Sequence, residues 1–337
     1  MSKVVPLKWQ DGELLILDQR KLPGEIKWIA ARNHETVAKA IESLAVRGAP
    51  VIGIAAAYGV ALAGASARAT KASVELAIAR LGRTRPTGFN LFWALERMRV
   101  CLASRDPVDA GALLREAKSI HREDAAACQH MAEFGAGLMD EGESVLTYCN
   151  TGALATGGIG TALGVIRAGY KAKKVQQVFA CETRPVGQGA RLTVWECVQE
   201  RIPVTLICDN MVAALMTAGR VHRVFVGADR IARNGDTSNK IGTSGVAILA
   251  YQFGIPFHVV APSTTFDGGL ATGAEIVIEE RSPTEVLKTT PGLDQLPRVN
   301  VWNPAFDVTP AKFITSIITE RGVYRAPYSF SVTDSNR

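Results

Sequence analysis

Six short apolar runs in the second half of the chain restrict its fold more than any other feature. They are VLTYC (145–149), VQQVFA (175–180), VTLIC (204–208), RVFVG (223–227), FHVVA (257–261) and VNVW (299–302). Between most of them lie helix-like segments, at 154–168, 189–201, 210–218 and 240–253. Strands that are apolar throughout, alternating with helices, belong to a parallel sheet covered on both faces. The expected fold class is therefore α/β. Extra pieces at 263–295 break the rhythm. A helix near Pro310–Glu320 and a loose tail, YSFSVTDSNR, are expected to close the chain.

The first 140 residues lack this rhythm. Residues 11–30 read as short strands around Asp11-Gly12 and Pro23-Gly24, which predicts a small antiparallel sheet. His34 to Val46 reads as an amphipathic helix with Val37, Ile41 and Leu44 on one face. Further helices are expected at 71–82, from Leu91 to Leu102, and from an Asp106-Pro107 cap towards Met139. A length of 337 residues suits two domains. The expected division is 1–140, a small sheet and helical domain, and 141–337, a Rossmann-like α/β domain.

Composition excludes more than it assigns. A hydrophobic content of 47% and a charged content of 21% are those of a globular protein. The net charge of +6 suits anionic ligands, but the basic residues are scattered, so nucleic acid is not the expected partner. The most apolar stretch, Val51 to Ala65, is interrupted by glycines and too short to span a bilayer, so no membrane is expected. MSKVVPLKWQDGEL lacks a signal-peptide pattern. The six cysteines show no metal-ligand spacing and the five histidines no HExxH. Free thiols, a cytoplasmic setting and no metal are expected.

Chemistry-bearing residues gather at strand ends, where open α/β sheets bind ligands. The first strand ends at Cys149, before a glycine-rich loop that would open a helix; a helix dipole there lowers a thiol pKa. The competing reading is a buried small hydrophobe. Gly158 and Gly160 begin a dinucleotide fingerprint, but position 163 is Leu, so the pattern is incomplete. The second strand leads to Glu182, Arg184, Gln188 and Arg191, each readable as a ligand donor or as a loop contact. The third ends in Asp209-Asn210-Met211, a helix cap. The fourth ends at Asp229, either a turn cap or a carboxylic acid kept protonated by apolar neighbours. Lys240, placed at a helix start, can hold an anion. Arg47-Gly48-Ala49-Pro50 opens another helix and offers an anion site, and Pro86 holds Arg85 extended.

Taken together, LDQRKLP (17–23), RGAPVIG (47–53), RPTGFNLFWALERM (85–98), CNTGALAT (149–156), ETRPVGQGARLTVWE (182–196), DNMVAALM (209–216), GADRIARNGDTSNKIGT (227–243) and PFHVVAPSTTFD (256–267) closely resemble the methylthioribose-1-phosphate isomerase family. Its superfamily includes regulatory subunits of the translation-initiation guanine nucleotide exchange factor. The resemblance implies a small N-terminal domain, a Rossmann-like domain and a homodimer. It implies Cys149 and Asp229 as catalytic residues, and Arg47, Gly48, Ala49, Arg85, Gln188, Asn239 and Lys240 as substrate-binding positions. It also implies a sugar phosphate substrate and no cofactor. The expected reaction converts 5-methylthioribose 1-phosphate to its ketose in methionine salvage. Three rivals stand beside it: the same chemistry on 5-deoxyribose 1-phosphate or ribose 1,5-bisphosphate, a non-catalytic binding subunit, and a dehydrogenase.

Overall fold

The structure, a computed structural model, describes residues 4–85, 89–104 and 107–330. Pro86 and Thr87 of the turn after Arg85, Asp106 of the expected cap, and the last seven residues of the tail lie outside them.

Strands β1 (Leu7–Gln10), β2 (Glu13–Leu17) and β3 (Trp28–Ala31) form an antiparallel sheet. Asp11 and Gly12 make the first hairpin turn, both at positive φ (50° and 79°), the geometry a two-residue hairpin needs. Helix α1 (His34–Glu42) starts at an Asn33 cap that accepts from the Thr36 amide, and buries Val37, Ala38, Ala40 and Ile41. It ends short of the expected Val46, because Leu44 turns to a positive φ of 59°. Helix α2 (Ala49–Gly64) is buried on all sides and forms the centre of the first core. Its small residues let α3 (Lys71–Gly82), α4 (Phe89–Ala103) and α5 (Ala110–Ala136) pack around it. The cap of α5 is Asp109, whose carboxylate accepts from Ala112.

The second half runs β4 (Glu143–Thr147), α6 (Ala162–Lys171), β5 (Val175–Cys181), α7 (Val194–Gln199), β6 (Val204–Ile207), α8 (Val212–Thr217), β7 (Arg223–Val226), β8 (Arg230–Ala232), β9 (Thr237–Lys240), α9 (Thr243–Gln252), β10 (Phe257–Val260), β11 (Phe266–Asp267), α10 (Thr284–Leu287), β12 (Phe306–Thr309), β13 (Ser316–Thr319) and β14 (Gly322–Tyr324). The main sheet has the order β14-β13-β10-β7-β4-β5-β6 and is parallel except for β14. Apolar side chains fill both faces, and Phe179, Phe225 and Phe257 are fully buried. Truncating one to Ala costs about 3–5 kcal/mol. The chain is thus α/β, with a small strand-and-helix region ahead of a large sheet.

The order exposes a switch point. From β4 the chain moves outward through β5 and β6, then returns to add β7 on the other side of β4. A crevice opens where neighbouring strands send their connections to opposite sides. Cys149 follows β4 and Asp229 follows β7, so both stand at this crevice.

Several expectations are corrected. VNVW (299–302) is not a strand, and Trp302 is 81% exposed. The seventh strand is β14, and 310–320 holds a short 3-10 turn and β13 instead of a helix. A second small sheet, β11-β8-β9-β12, was not expected. The described end of the tail is packed: Phe330 stacks on Phe266 at 4.2 Å, and Tyr328 donates to the Ile314 carbonyl.

Candidate active site

A cavity of about 310 Å³ opens at the switch point. Its wall includes Arg47, Gly48, Ala49, Arg85, Cys149, Gln188, Asp229, Asn239 and Lys240. The structure therefore brings all nine sequence-derived positions together, from separate stretches of chain.

Cys149 is held in a costly conformation. Its φ is +62°, in the left-handed region that non-glycine residues seldom enter. Two threonines hold it there: Thr183 Oγ1 accepts from its amide at 2.9 Å, and Thr193 Oγ1 donates to its carbonyl at 2.6 Å. Strain fixed from two sides is a mark of functional sites. The expected helix dipole is absent. The next α-helix, α6, begins only at Ala162, because Gly157 and Gly158 are spent on close packing against His121 and Ala125 of α5. That packing accounts for Gly158 of the glycines that suggested a dinucleotide loop, and Gly160, at a φ of 101°, packs against the backbone of Thr151 and Gly152. Burial pushes the Cys149 thiol up, and Arg47 and Lys240 pull it back.

Asp229 lies between β7 and the β8–β9 hairpin, its amide donating to the Ser238 carbonyl at 2.9 Å. Burial pushes its carboxyl up, against Lys240, Arg85 and Arg47. Lys240 ends β9 and is not the start of a helix. The first amides of α9 are taken by Asp307, which accepts from Gly242 at 2.7 Å and Ser244 at 3.1 Å. Lys240 Nζ instead donates to the Ala305 carbonyl at 2.9 Å and faces the Phe306 ring. Burial pulls its ammonium down, while Cys149 and Asp229 hold it up. Asn239 donates to Thr243 Oγ1 at 3.0 Å.

Gly48 is the N-cap of α2 and has no side-chain cap bond. Its φ of 112° and its closeness to Ala155 leave no room for a Cβ. Arg47 turns inward: Nε donates to Gln19 Oε1 at 3.2 Å and Nη2 to Asn150 Oδ1. Among the described residues, two cavity-lining groups retain buried polar atoms with no hydrogen-bond partner, Arg85 Nε and Gln188 Oε1. One donor and one acceptor left in this way mark where a polar ligand completes the site.

Three of the cavity's other arginines are paired with carboxylates. Arg20 pairs with Asp18 at 2.7 Å, Arg230 with Asp267 at 3.5 Å, and Arg281 with Glu279 at 2.9 Å. Arg85 reaches Glu279 at 3.1 Å. Arg191 donates to the carbonyls of Gln19 and Leu22. Arg184 is exposed and off the cavity wall. Phe89, Ile241, Ile276, Val277 and Phe306 supply an apolar wall. Asp209 is not simply a cap: its carboxylate accepts from the Thr183 and Arg184 amides at 2.8 and 2.7 Å, tying down the loop after β5. Sequence reasoning singled out neither Thr183, Thr193, Gln19 nor Glu279. Among the described residues no group of three or more His, Cys, Asp or Glu is placed to hold a metal ion, and no helix is long and apolar enough to cross a membrane.

A sheet that changes direction over a strained thiol and a half-buried acid defines a class that comparison makes explicit. The family model described as "Initiation factor 2 subunit family" matches residues 45–326, and the chain belongs to that family. Within it, the chain is 52% identical over 333 residues to the methylthioribose-1-phosphate isomerase of Methylococcus capsulatus, covering 97% of this chain and 94% of that protein. It is 50% identical over 338 residues to the 5-deoxyribose 1-phosphate isomerase of Moorella thermoacetica, covering 98% and 96%. The crystal structure of 5-methylthioribose 1-phosphate isomerase from Pyrococcus horikoshii superposes with a TM-score of 0.90 at 44% identity, covering 97% of this chain and 94% of that one.

Proposed function

We propose that the chain is an aldose–ketose isomerase converting 5-methylthio-D-ribose 1-phosphate to 5-methylthio-D-ribulose 1-phosphate in methionine salvage. The observation that carries this reading is the meeting of a burial-raised acid, a strained thiol and the cations Arg47, Lys240 and Arg191, each bonded to neutral groups, in one small cavity.

The phosphate on C1 locks the sugar as a furanose, so ordinary aldose opening is blocked. Asp229 in its acid form protonates the ring oxygen as the C1–O4 bond breaks. A hydrogen then moves from C2 to C1. Cys149 serves that transfer, as the base that takes the C2 proton or as the group that stabilises charge in a direct hydride shift. Arg47, the open amides at the start of α2, and Arg85 hold the phosphate, while Asn239 and Lys240 hold the phosphate or the sugar oxygens. Gln188 Oε1 accepts from a sugar hydroxyl. The apolar wall receives the 5-substituent. The pairing of Arg20, Arg230 and Arg281 with carboxylates favours a methylthio or deoxy sugar over a bisphosphate, and Arg191, bonded to two backbone carbonyls, is the cation left for a second phosphate.

Two further proposals accompany this one. The chain divides near residue 140, and it works in the cytoplasm as a homodimer; the family resemblance and the exposed Ile248, Tyr251 and Phe253 support the dimer. Sedimentation at twice the chain mass checks it. For the activity, purified protein is incubated with 5-methylthioribose 1-phosphate without added metal or cofactor, and ketose is followed by NMR. Ketose is expected. Folded protein that yields none would favour a non-catalytic binding subunit.

A further inference from the structure

The cavity stands on a buried charge that the reaction does not use. Glu196, beneath the loop that follows Cys149, is 0% exposed and is filled with donors. Its Oε1 accepts from Asn150 Nδ2 at 2.8 Å and from the Leu154 amide at 3.4 Å. Its Oε2 accepts from the Ala153 amide at 2.8 Å and from Arg167 Nη2 at 2.6 Å. Arg167 is also buried, and its Nε reaches Glu200 at 2.7 Å. The loop is moulded on this carboxylate, since a Cβ on Gly152 would collide with it.

An amide side chain has one accepting and one donating end. Asn150 points its Nδ2 at Glu196 and at Thr193 Oγ1, so its Oδ1 is turned to Arg47 Nη2. The carboxylate at 196 thereby decides which end of Asn150 the guanidinium meets. We propose that Glu196 is a positioning residue that aims Arg47 into the cavity by fixing the orientation of the Asn150 amide. The proposal rests on the isomerase reading only in so far as Arg47 holds the substrate's phosphate.

The substitution Glu196→Gln makes the logic testable. The new side chain has one carbonyl, which is claimed by Arg167 and the Ala153 amide, the more demanding pair because Arg167 is charged. Its amino group then faces Asn150, which must turn its own oxygen towards it. The Asn150 amino group now confronts Arg47, donor against donor, and the guanidinium moves. Adding Asn150→Asp repairs this, because a carboxylate accepts from the introduced amide and from Arg47 together. The double variant also keeps the total buried charge unchanged.

Three proteins are compared with wild type: Glu196→Gln, Asn150→Ala, and the combined Glu196→Gln with Asn150→Asp. Each is measured for KM and kcat on 5-methylthioribose 1-phosphate, for the Kd of inorganic phosphate by calorimetry, and for thermal unfolding. Glu196→Gln is expected to raise KM and the phosphate Kd by roughly ten- to a hundredfold, more than it lowers kcat. The double variant is expected to return both to within about threefold of wild type. A merely structural ion pair would show no such rescue. If Glu196→Gln does not fold, Asn150→Ala removes the side-chain link without touching Arg167, leaving Arg47 its longer bonds to the carbonyl of residue 150 at 3.3 and 3.5 Å, and a raised phosphate Kd with a near-normal melting temperature is expected. A wild-type-like phosphate Kd in the single variants, or no recovery in the double variant, overturns the proposal. A wild type that binds phosphate but makes no ketose defeats the isomerase reading and leaves this one standing; a wild type that binds no phosphate overturns it.

Discussion

The two strand ends that meet at the cavity are built on different principles. The end of β4 is mechanical. Cys149 sits at a φ of +62° because Thr183 and Thr193 hold its amide and carbonyl, and its place depends little on any charge. The end of β7 is electrical. Asp229 is tied through its amide to Ser238, and the state of its carboxyl is set by burial on one side and by Lys240, Arg85 and Arg47 on the other. The difference suits the two tasks. A group that must meet a particular carbon is fixed in position, whereas a group that must carry a proton is fixed in acidity.

The comparison can be broken from either end. Asp229→Asn removes the proton donor and leaves the fold intact, so kcat should fall by about 10³-fold or more with an unchanged melting temperature. Cys149→Ser keeps the mechanical hold and weakens the chemistry, with a loss of about 10²-fold. Near-normal ketose formation by either variant removes that residue from its role. Thr183→Val keeps every charge but strips the Cys149 amide of its acceptor. It should lower kcat roughly tenfold and cost about 1–3 kcal/mol in denaturant unfolding; an unchanged kcat would mean that the strained backbone is incidental.

The smallest effect is a pH shift. Asp229 must be protonated to act, so activity falls as pH rises through its raised pKa. Glu279 pushes that pKa up and also engages Arg85, which pulls it down. Glu279→Gln should therefore move the alkaline limb of the kcat profile to lower pH. A limb that stays in place, or moves up, would show that the β7 end is not governed by these charges.

Much of this was legible in the sequence, for identifiable reasons. These strands of the parallel core each carry a short apolar run, so β4, β5, β6, β7 and β10 announced themselves, and their ends delivered Cys149, Gln188 and Asp229 to one edge. Strand β9, Thr237-Ser238-Asn239-Lys240, has no apolar signature; it is buried because it pairs with β12 and lines the cavity. Ahead of and within β13, Phe313, Ile314, Ile317 and Ile318 recur at a spacing that imitates a helix face. VNVW has the side chains of a strand, but nothing covers Trp302. Strand order, and hence the switch point, has no local sequence signal at all. Neither has the grip of Thr183 and Thr193 on Cys149, which joins residues 34 and 44 positions apart. Glu196 was visible as a carboxylate inside the apolar stretch LTVWECV, the one cue to a buried charge.

One competition experiment tests the central claim most directly. Wild-type protein receives 5-methylthioribose 1-phosphate, 5-deoxyribose 1-phosphate and ribose 1,5-bisphosphate together at equal concentration, and the disappearance of each is followed by NMR. A cavity with three of its arginines paired to carboxylates and an apolar wall should consume the methylthio sugar first, the deoxy sugar more slowly, and the bisphosphate least. Consumption of the bisphosphate at a rate equal to or above the methylthio sugar would contradict the account.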